Sequence, residues 1–189
     1  MRKIIASIFL SLDGFMVGQN EDMSWVMDNF NDQMGRYAAD LQDSMDSILL
    51  GRVTYEIMNK VWPFQTEASW PGADRMNAVT KMVFSNSLDK VEWGKYDNAR
   101  LVHDILPDGI EKMKKLPGKD MVIYGSASIV RQCTQLGLID EFQLLVHPVI
   151  LGAGKLLFKD ITGPVSLNLT KSVSFKNGVV VLYYAPAGK

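Results

Sequence analysis

The chain has 189 residues, 47% hydrophobic and 22% charged, with a formal net charge of -1. That is enough apolar material for one compact domain with a sizeable core, and it excludes intrinsic disorder. The near-neutral balance also excludes a general nucleic-acid or membrane-surface binder, which needs a basic face, so any anionic ligand must be held locally.

Met1-Arg2-Lys3 followed by the apolar Ile4 to Leu10 resembles a signal peptide. The apolar run is too short, however, and it meets Asp13 rather than a small-residue cleavage site. No stretch is long enough to cross a membrane. Lys3 to Leu10 reads instead as a first, central strand, and Ser11 to Gly18 as a loop with two glycines where backbone can approach a ligand. Asp13, at the mouth of that strand, is either a turn-forming residue or a functional carboxylate.

Phe30, Met34, Tyr37 and Leu41 recur at helical spacing and predict an amphipathic helix over 29–43. Ser47 to Gly51 is a second buried strand, leading into Gly51-Arg52-Val53-Thr54, with Thr54 as the cap of a helix running to about Lys60. A guanidinium at such a turn suits phosphate, because its planar fork donates two parallel hydrogen bonds. Residues 62–72 read as an irregular surface stretch with aromatic anchors, and 73–80 as a short helix. Lys81 to Ser85 is a third strand, with Ser85 and Asn86 offering polar groups at its end. Arg100 to His103 is a weaker strand, and Pro107 to Lys115 a helix with Pro in its first turn and lysines in its last.

Met121 to Tyr124 reads as a short buried strand. Gly125-Ser126-Ala127-Ser128 then turns into a helix whose Ile129, Cys133 and Leu136 share one face, with Gly137 as its stop. Free backbone N–H groups at that turn suit an anion, most often a phosphate; an ordinary strand-to-helix turn is the alternative. Cys133, the sole cysteine, falls on the buried face, precludes an internal disulfide and fits a reducing, cytoplasmic setting. Asp140 to His147 is a further strand, stopped by Pro148, with His147 a structural or surface residue or a substrate contact. Val149 to Lys155 is a glycine loop that leaves Lys155 available to an anion. Val165, Leu167 and Leu169 alternate, as do Val173 and Phe175, and Asn177-Gly178 signals a type I′ turn into a strand over 179–184.

Strands and helices alternate until a closing hairpin, which predicts an α/β fold in three layers, with a mostly parallel central sheet and an antiparallel C-terminal hairpin. Ligands of such sheets bind outside the carboxyl ends of the strands, where Asp13, Arg52, Ser85 and Gly125 to Ser128 all fall. With two histidines and one cysteine, a His/Cys zinc site is not expected.

Ser11-Leu12-Asp13-Gly14, Leu50-Gly51-Arg52-Val53-Thr54, Val83-Phe84-Ser85, Ile123 to Ser128, and Ile139-Asp140-Glu141 with Val149 to Gly152 occur in one order and spacing. In these motifs the chain resembles the dihydrofolate-reductase-like superfamily, and more closely the riboflavin-biosynthesis reductase (RibD C-terminal) domain family with its stand-alone relatives. The resemblance spans nearly the whole chain and implies a cytoplasmic NADPH-dependent oxidoreductase acting on a small heterocycle, commonly as a homodimer. It implies that Gly51, Arg52 and Thr54 take the adenosine-side phosphates, that Ser85 and Asn86 lie near the 2′-phosphate, and that Gly125, Ser126, Ala127 and Ser128 hold the pyrophosphate. It implies that the loop with Asp13 and Gly14 lines the nicotinamide, with Asp13 orienting substrate or relaying a proton, and that Trp25 and Lys155 complete the substrate side. The substrate class it implies is 5-amino-6-(5-phosphoribosylamino)uracil; a pterin or folate, or a non-catalytic nucleotide-binding role, are the alternatives. Two features depart from the pattern. Dihydrofolate reductases place a carboxylate after a Trp at the start of the first long helix, whereas Asp28 follows Trp25 about two residues too soon, and Gly125-Ser126 stands where Gly-Gly is usual.

Overall fold

The computed structural model describes residues 1–188. Its core is an eight-stranded sheet in the order β5-β4-β3-β6-β1-β7-β10-β9. Here β1 is Ile4–Ser11, β3 Met45–Gly51, β4 Thr80–Phe84, β5 Ala99–Val102, β6 Asp120–Gly125, β7 Glu141–His147, β9 Leu167–Ser174 and β10 Val180–Pro186. Every pairing from β5 to β7 is parallel, while β10 runs antiparallel to both β7 and β9. The central strands are mostly apolar because helices cover both faces. Helices α2 (Asp32–Ser44), α3 (Arg52–Asn59) and α4 (Ala73–Ala78) pack Leu41, Tyr55 and Met76 against Ile48, Leu50 and Val122 on one face. Helices α5 (Pro107–Lys115) and α6 (Ala127–Gln135) pack Ile110, Ile129 and Cys133 against Ile4, Leu49 and Ile123 on the other. A third cluster joins Val26, Met34 and Leu145 to Val179 and Val181 under the hairpin. The expected three-layer α/β architecture is therefore the observed one.

Several local expectations change. The amphipathic stripe begins at Asp32 rather than residue 29, because Asn31 caps the helix, accepting from the N–H groups of Gln33 and Met34 at 3.0 Å each. A separate turn, α1 (Ser24–Met27), precedes it. Replacing Asn31 with Ala is expected to cost about 1 kcal/mol in urea denaturation by orphaning those donors. Leu136 is not on the buried face of α6: it lies past the last turn and is 45% exposed, and Val130 and Thr134 are buried instead. Thr54 is no cap, since α3 starts three residues earlier with Gly51 in the cap position. The Asn177-Gly178 hairpin forms, but not through a type I′ turn. Gly178 alone takes a left-handed φ, +86°, and the Phe175 N–H donates to Val179 O at 2.8 Å, closing a three-residue loop. A small second sheet, β2 (Phe15–Val17) with β8 (Lys155–Leu156), was not legible as strands because both segments are too short to show alternation.

Candidate functional site: a sheet edge with two abutting helix N-termini

Because β4, β3, β6, β1 and β7 are parallel neighbours, their last residues line one edge of the sheet. Read across that edge, the predicted groups fall in the order Ser85–Asn86, Gly51–Thr54, Gly125–Ser128, Asp13–Gly14 and then His147. Four strand positions span roughly 14 Å, long enough for an extended dinucleotide.

The tightest contact is between the β3 and β6 turns. A Cβ built on Gly51 would stand 2.2 Å from Ser126 Oγ, and one on Gly125 would stand 2.9 Å from Thr54 Oγ1. Gly125 also has φ +140°, a conformation open essentially to glycine alone, and the Gly125–Ser126 peptide is cis. Lacking side chains, these two glycines let the N-termini of α3 and α6 abut. No side chain caps either helix, and the first N–H groups of a helix have no partner within it. Ser126 Oγ pairs with Ser128 Oγ at 2.6 Å instead of capping. The result is a concave patch of backbone donors at two positive helix ends, a geometry that fits a pyrophosphate.

The flanking groups are held in place by local bonds. Arg52 reaches back to Glu56, with both carboxylate oxygens within 3.1 Å of one guanidinium nitrogen, and both side chains remain partly exposed. The Ser85 hydroxyl accepts from the N–H groups of Ser87 and Leu88 at 3.2 Å, so it builds its own turn, while Asn86 is exposed and donates to Asp104 at 3.4 Å. His103, one strand further, contacts Ser85 O at 3.1 Å.

Asp13 is more heavily engaged than a free acid. Its Oδ1 accepts from Ser11 Oγ at 2.6 Å and from the Leu151 N–H at 3.1 Å, and its Oδ2 from the Gly152 N–H at 2.7 Å. The Ser11 hydroxyl, followed by these amides, holds the carboxyl below its usual range, so Asp13 is ionised at neutral pH. It fastens the β1 end to the 149–154 loop. Lys155 is ion-paired with Glu21 across the small sheet, and both side chains stay about half exposed. Asp28 is exposed at the end of α1, away from the start of the long helix.

Two further features are decided by packing: His147, which the sequence leaves open between a structural or surface residue and a substrate contact, and a slot that the sequence does not single out. His147 is 1% exposed, and neither ring nitrogen finds a hydrogen-bond partner among the described residues. Its ring meets Phe9 and Trp25 edge-on, with centroids 5.7 and 5.0 Å apart. Burial lowers its pKa to about 4, so it is a neutral core imidazole and not a surface residue. Its position at a strand end was the only signal in the chain. The second feature is a slot of about 40 Å³ between the sheet and α2, walled by Phe9, Phe30, Tyr124 and Leu145, with Ser7 and Tyr37 as its polar part. Cys133, by contrast, is fully buried, and burial pushes its thiol up to about 12, which makes it inert.

Residues 2–181 match the RibD C-terminal domain. The chain belongs to the RibD C-terminal domain family. It is 33% identical over 188 residues to the uncharacterised YyaP of Bacillus subtilis strain 168, covering 97% of this chain and 94% of that one. It also resembles the crystal structure of a Shewanella sp. PV-4 protein named for riboflavin biosynthesis, with a TM-score of 0.79, 25% identity and coverage of 98% and 99%. Dihydrofolate reductase from Enterococcus faecalis, solved with NADP(H), shares the RibD-type fold at a TM-score of 0.63 and 12% identity, covering 98% of this chain and 96% of that one. Among the described residues no helix is long and apolar enough to cross a membrane.

Proposed function

We propose that the protein is an NADPH-dependent reductase of a small heterocycle, with a 5-amino-6-(5-phosphoribosylamino)uracil-type compound as its first substrate class. The observation that carries this reading is the pair of abutting, uncapped helix N-termini at Gly51 and Gly125. When bound, the cofactor supplies the hydride. The chain's own residues hold and orient. The N–H groups of α3 and α6 take the pyrophosphate, with Ser126 and Ser128 hydroxyls beside them. Arg52 turns from Glu56 to the adenosine-side 2′-phosphate, exchanging a surface ion pair of small worth for a charge-assisted pair. Ser85 and Asn86 flank it. Asp13, which already accepts three hydrogen bonds, acts as a positioning residue that fixes the 149–154 loop against β1, and Trp25 shields the substrate side from water. A pterin or folate ranks second because no carboxylate lines the slot beneath α2.

Titration with NADPH and with NADH, followed by nicotinamide fluorescence, tests the core of this reading; no binding at millimolar NADPH would sink it. Arg52→Ala is expected to weaken NADPH by about tenfold or more while leaving NADH nearly unchanged. Equal losses for both cofactors would mean that Arg52 does not read the 2′-phosphate. NADPH binding without oxidation in the presence of a ribosylaminopyrimidine would favour a non-catalytic nucleotide-binding role.

A further inference from the structure

Arg52 is the first residue of α3, and a cation is electrostatically misplaced there. The helix N-terminus is positive and favours anions, and the first turn of α3 holds no acidic residue to offset the guanidinium. The Cα–Cβ bond of a helical residue tilts toward the helix N-terminus, so the Arg52 side chain starts out toward the sheet edge. Glu56 draws it the other way. That carboxylate lies one turn along α3, about 6 Å further from the helix end. Arg52 Nη1 donates to both of its oxygens, at 2.9 and 3.1 Å. The pair is nevertheless weak. Both oxygens share one nitrogen, so the two-nitrogen fork that makes Arg pairs strong is not engaged, and Nε and Nη2 have no partner among the described residues. Both side chains are partly exposed, so water screens their attraction. A cation on the N-terminal side is also the less favourable order for a pair at this spacing. Glu56 bonds to nothing else among the described residues, so it contributes little to holding the fold.

We propose that Glu56 sets cofactor selectivity: it holds Arg52 back along α3 and gives it up only to a ligand with a phosphate on the adenosine ribose. This rests on the NADPH reading for the identity of the ligand. A 2′-phosphate carries up to two negative charges and three acceptor oxygens, which suit the unused guanidinium fork. It therefore outcompetes a singly charged carboxylate bound to one nitrogen. The 2′-hydroxyl of NADH carries no charge and does not, so with NADH Arg52 stays on Glu56. The affinity for NADPH is then lowered by the fraction of Arg52 that Glu56 withholds. Removing Glu56 strengthens NADPH and leaves NADH where it was. Glu56 acts through Arg52, so it is a positioning residue and not a catalytic one.

The test compares wild type, Glu56→Gln, Arg52→Ala and the double variant. Each is titrated with NADPH and NADH by nicotinamide fluorescence, and with adenosine 2′,5′-bisphosphate and adenosine 5′-phosphate by calorimetry. Glu56→Gln keeps the side-chain shape at a partly exposed position, so the variant folds. It is expected to tighten NADPH and the bisphosphate by about three- to fivefold, the worth of such a pair, and to change NADH and the monophosphate by less than about 1.5-fold. In the Arg52→Ala background the same substitution is expected to change NADPH by less than about 1.5-fold. Unchanged or weaker NADPH binding in Glu56→Gln, a gain shared equally by NADH, or a gain undiminished without Arg52 overturns the proposal. If wild type binds neither NADPH nor the bisphosphate, the cofactor reading fails and takes this inference with it. If wild type binds both and Glu56→Gln changes neither, that reading stands and the role of Glu56 alone is refuted.

Discussion

Gly125→Ala is expected to lower stability by about 2–4 kcal/mol and to weaken NADPH binding by about 100-fold. Two effects combine at this position. Alanine is strained at φ +140°, and its methyl would stand 2.9 Å from Thr54 Oγ1, forcing α3 away from α6. The donors of the two helix ends then no longer converge. Gly137→Ala is the control. It also places alanine at a positive φ, +65°, but nothing lies within 4 Å of the added methyl, so it should cost about 1 kcal/mol and leave cofactor binding untouched. A paired test comes from Gly51, where a methyl would meet Ser126 Oγ at 2.2 Å and Ser126 Cβ at 3.1 Å. Gly51→Ala should impair NADPH binding, and Ser126→Gly should restore part of it by vacating that space. Unchanged NADPH affinity in a folded Gly125→Ala protein would show that the cofactor does not lie across these turns.

Lowering the pH from 7 to 4.5 is expected to cost roughly 2 kcal/mol of stability through His147 alone. Its pKa is about 4 in the folded protein against 6.5 when solvated, so between these values the unfolded chain binds the extra proton and stability rises with pH. Carboxylates held down by hydrogen bonds, such as Asp13 and Asp22, lose their contribution mainly below this window, as the pH falls through their depressed folded values. Lys81 acts above it. Its ammonium is fully buried against Asn77 O and Val79 O at 2.7 and 2.8 Å, and burial lowers its pKa to about 7, so its contribution grows as pH rises from 7. His147→Phe keeps the edge-on packing and removes two orphaned nitrogens. It should therefore be neutral or stabilising by about 1 kcal/mol at pH 7 and flatten the acid limb of urea-denaturation curves. An acid limb of the same slope in His147→Phe would rule out His147 as its source.

The order of elements, the parallel sheet and the antiparallel closing hairpin were legible because each is a local signal: an apolar run between breakers, a 3.6-residue stripe, an Asn-Gly turn. The glycine turns at Gly51 and Gly125 were legible for the same reason, as was the stop at Gly137. What residues do at a distance was not. Arg52, Ser85 and Lys155 look alike in sequence as polar groups after strands, yet Glu56, the Ser87 and Leu88 amides, and Glu21 occupy them in turn. Asp13 was placed at the right turn, but its partners Leu151 and Gly152 lie 138 and 139 residues away. Tyr37 appeared only as one position of an apolar stripe; that its hydroxyl points at Ser7 and Gln143 follows from the β1–β7 register that sets those two residues side by side. His147 was visible as a strand end, and only the packing of Phe9 and Trp25 around it makes it a buried neutral group. By itself, then, the sequence determined the fold class and the turns where an anion can sit, because backbone conformation and burial periodicity are written in neighbouring residues. The tertiary structure alone decided which side chains are free and which are already bonded, because that depends on contacts that loop closure brings together from opposite ends of the chain.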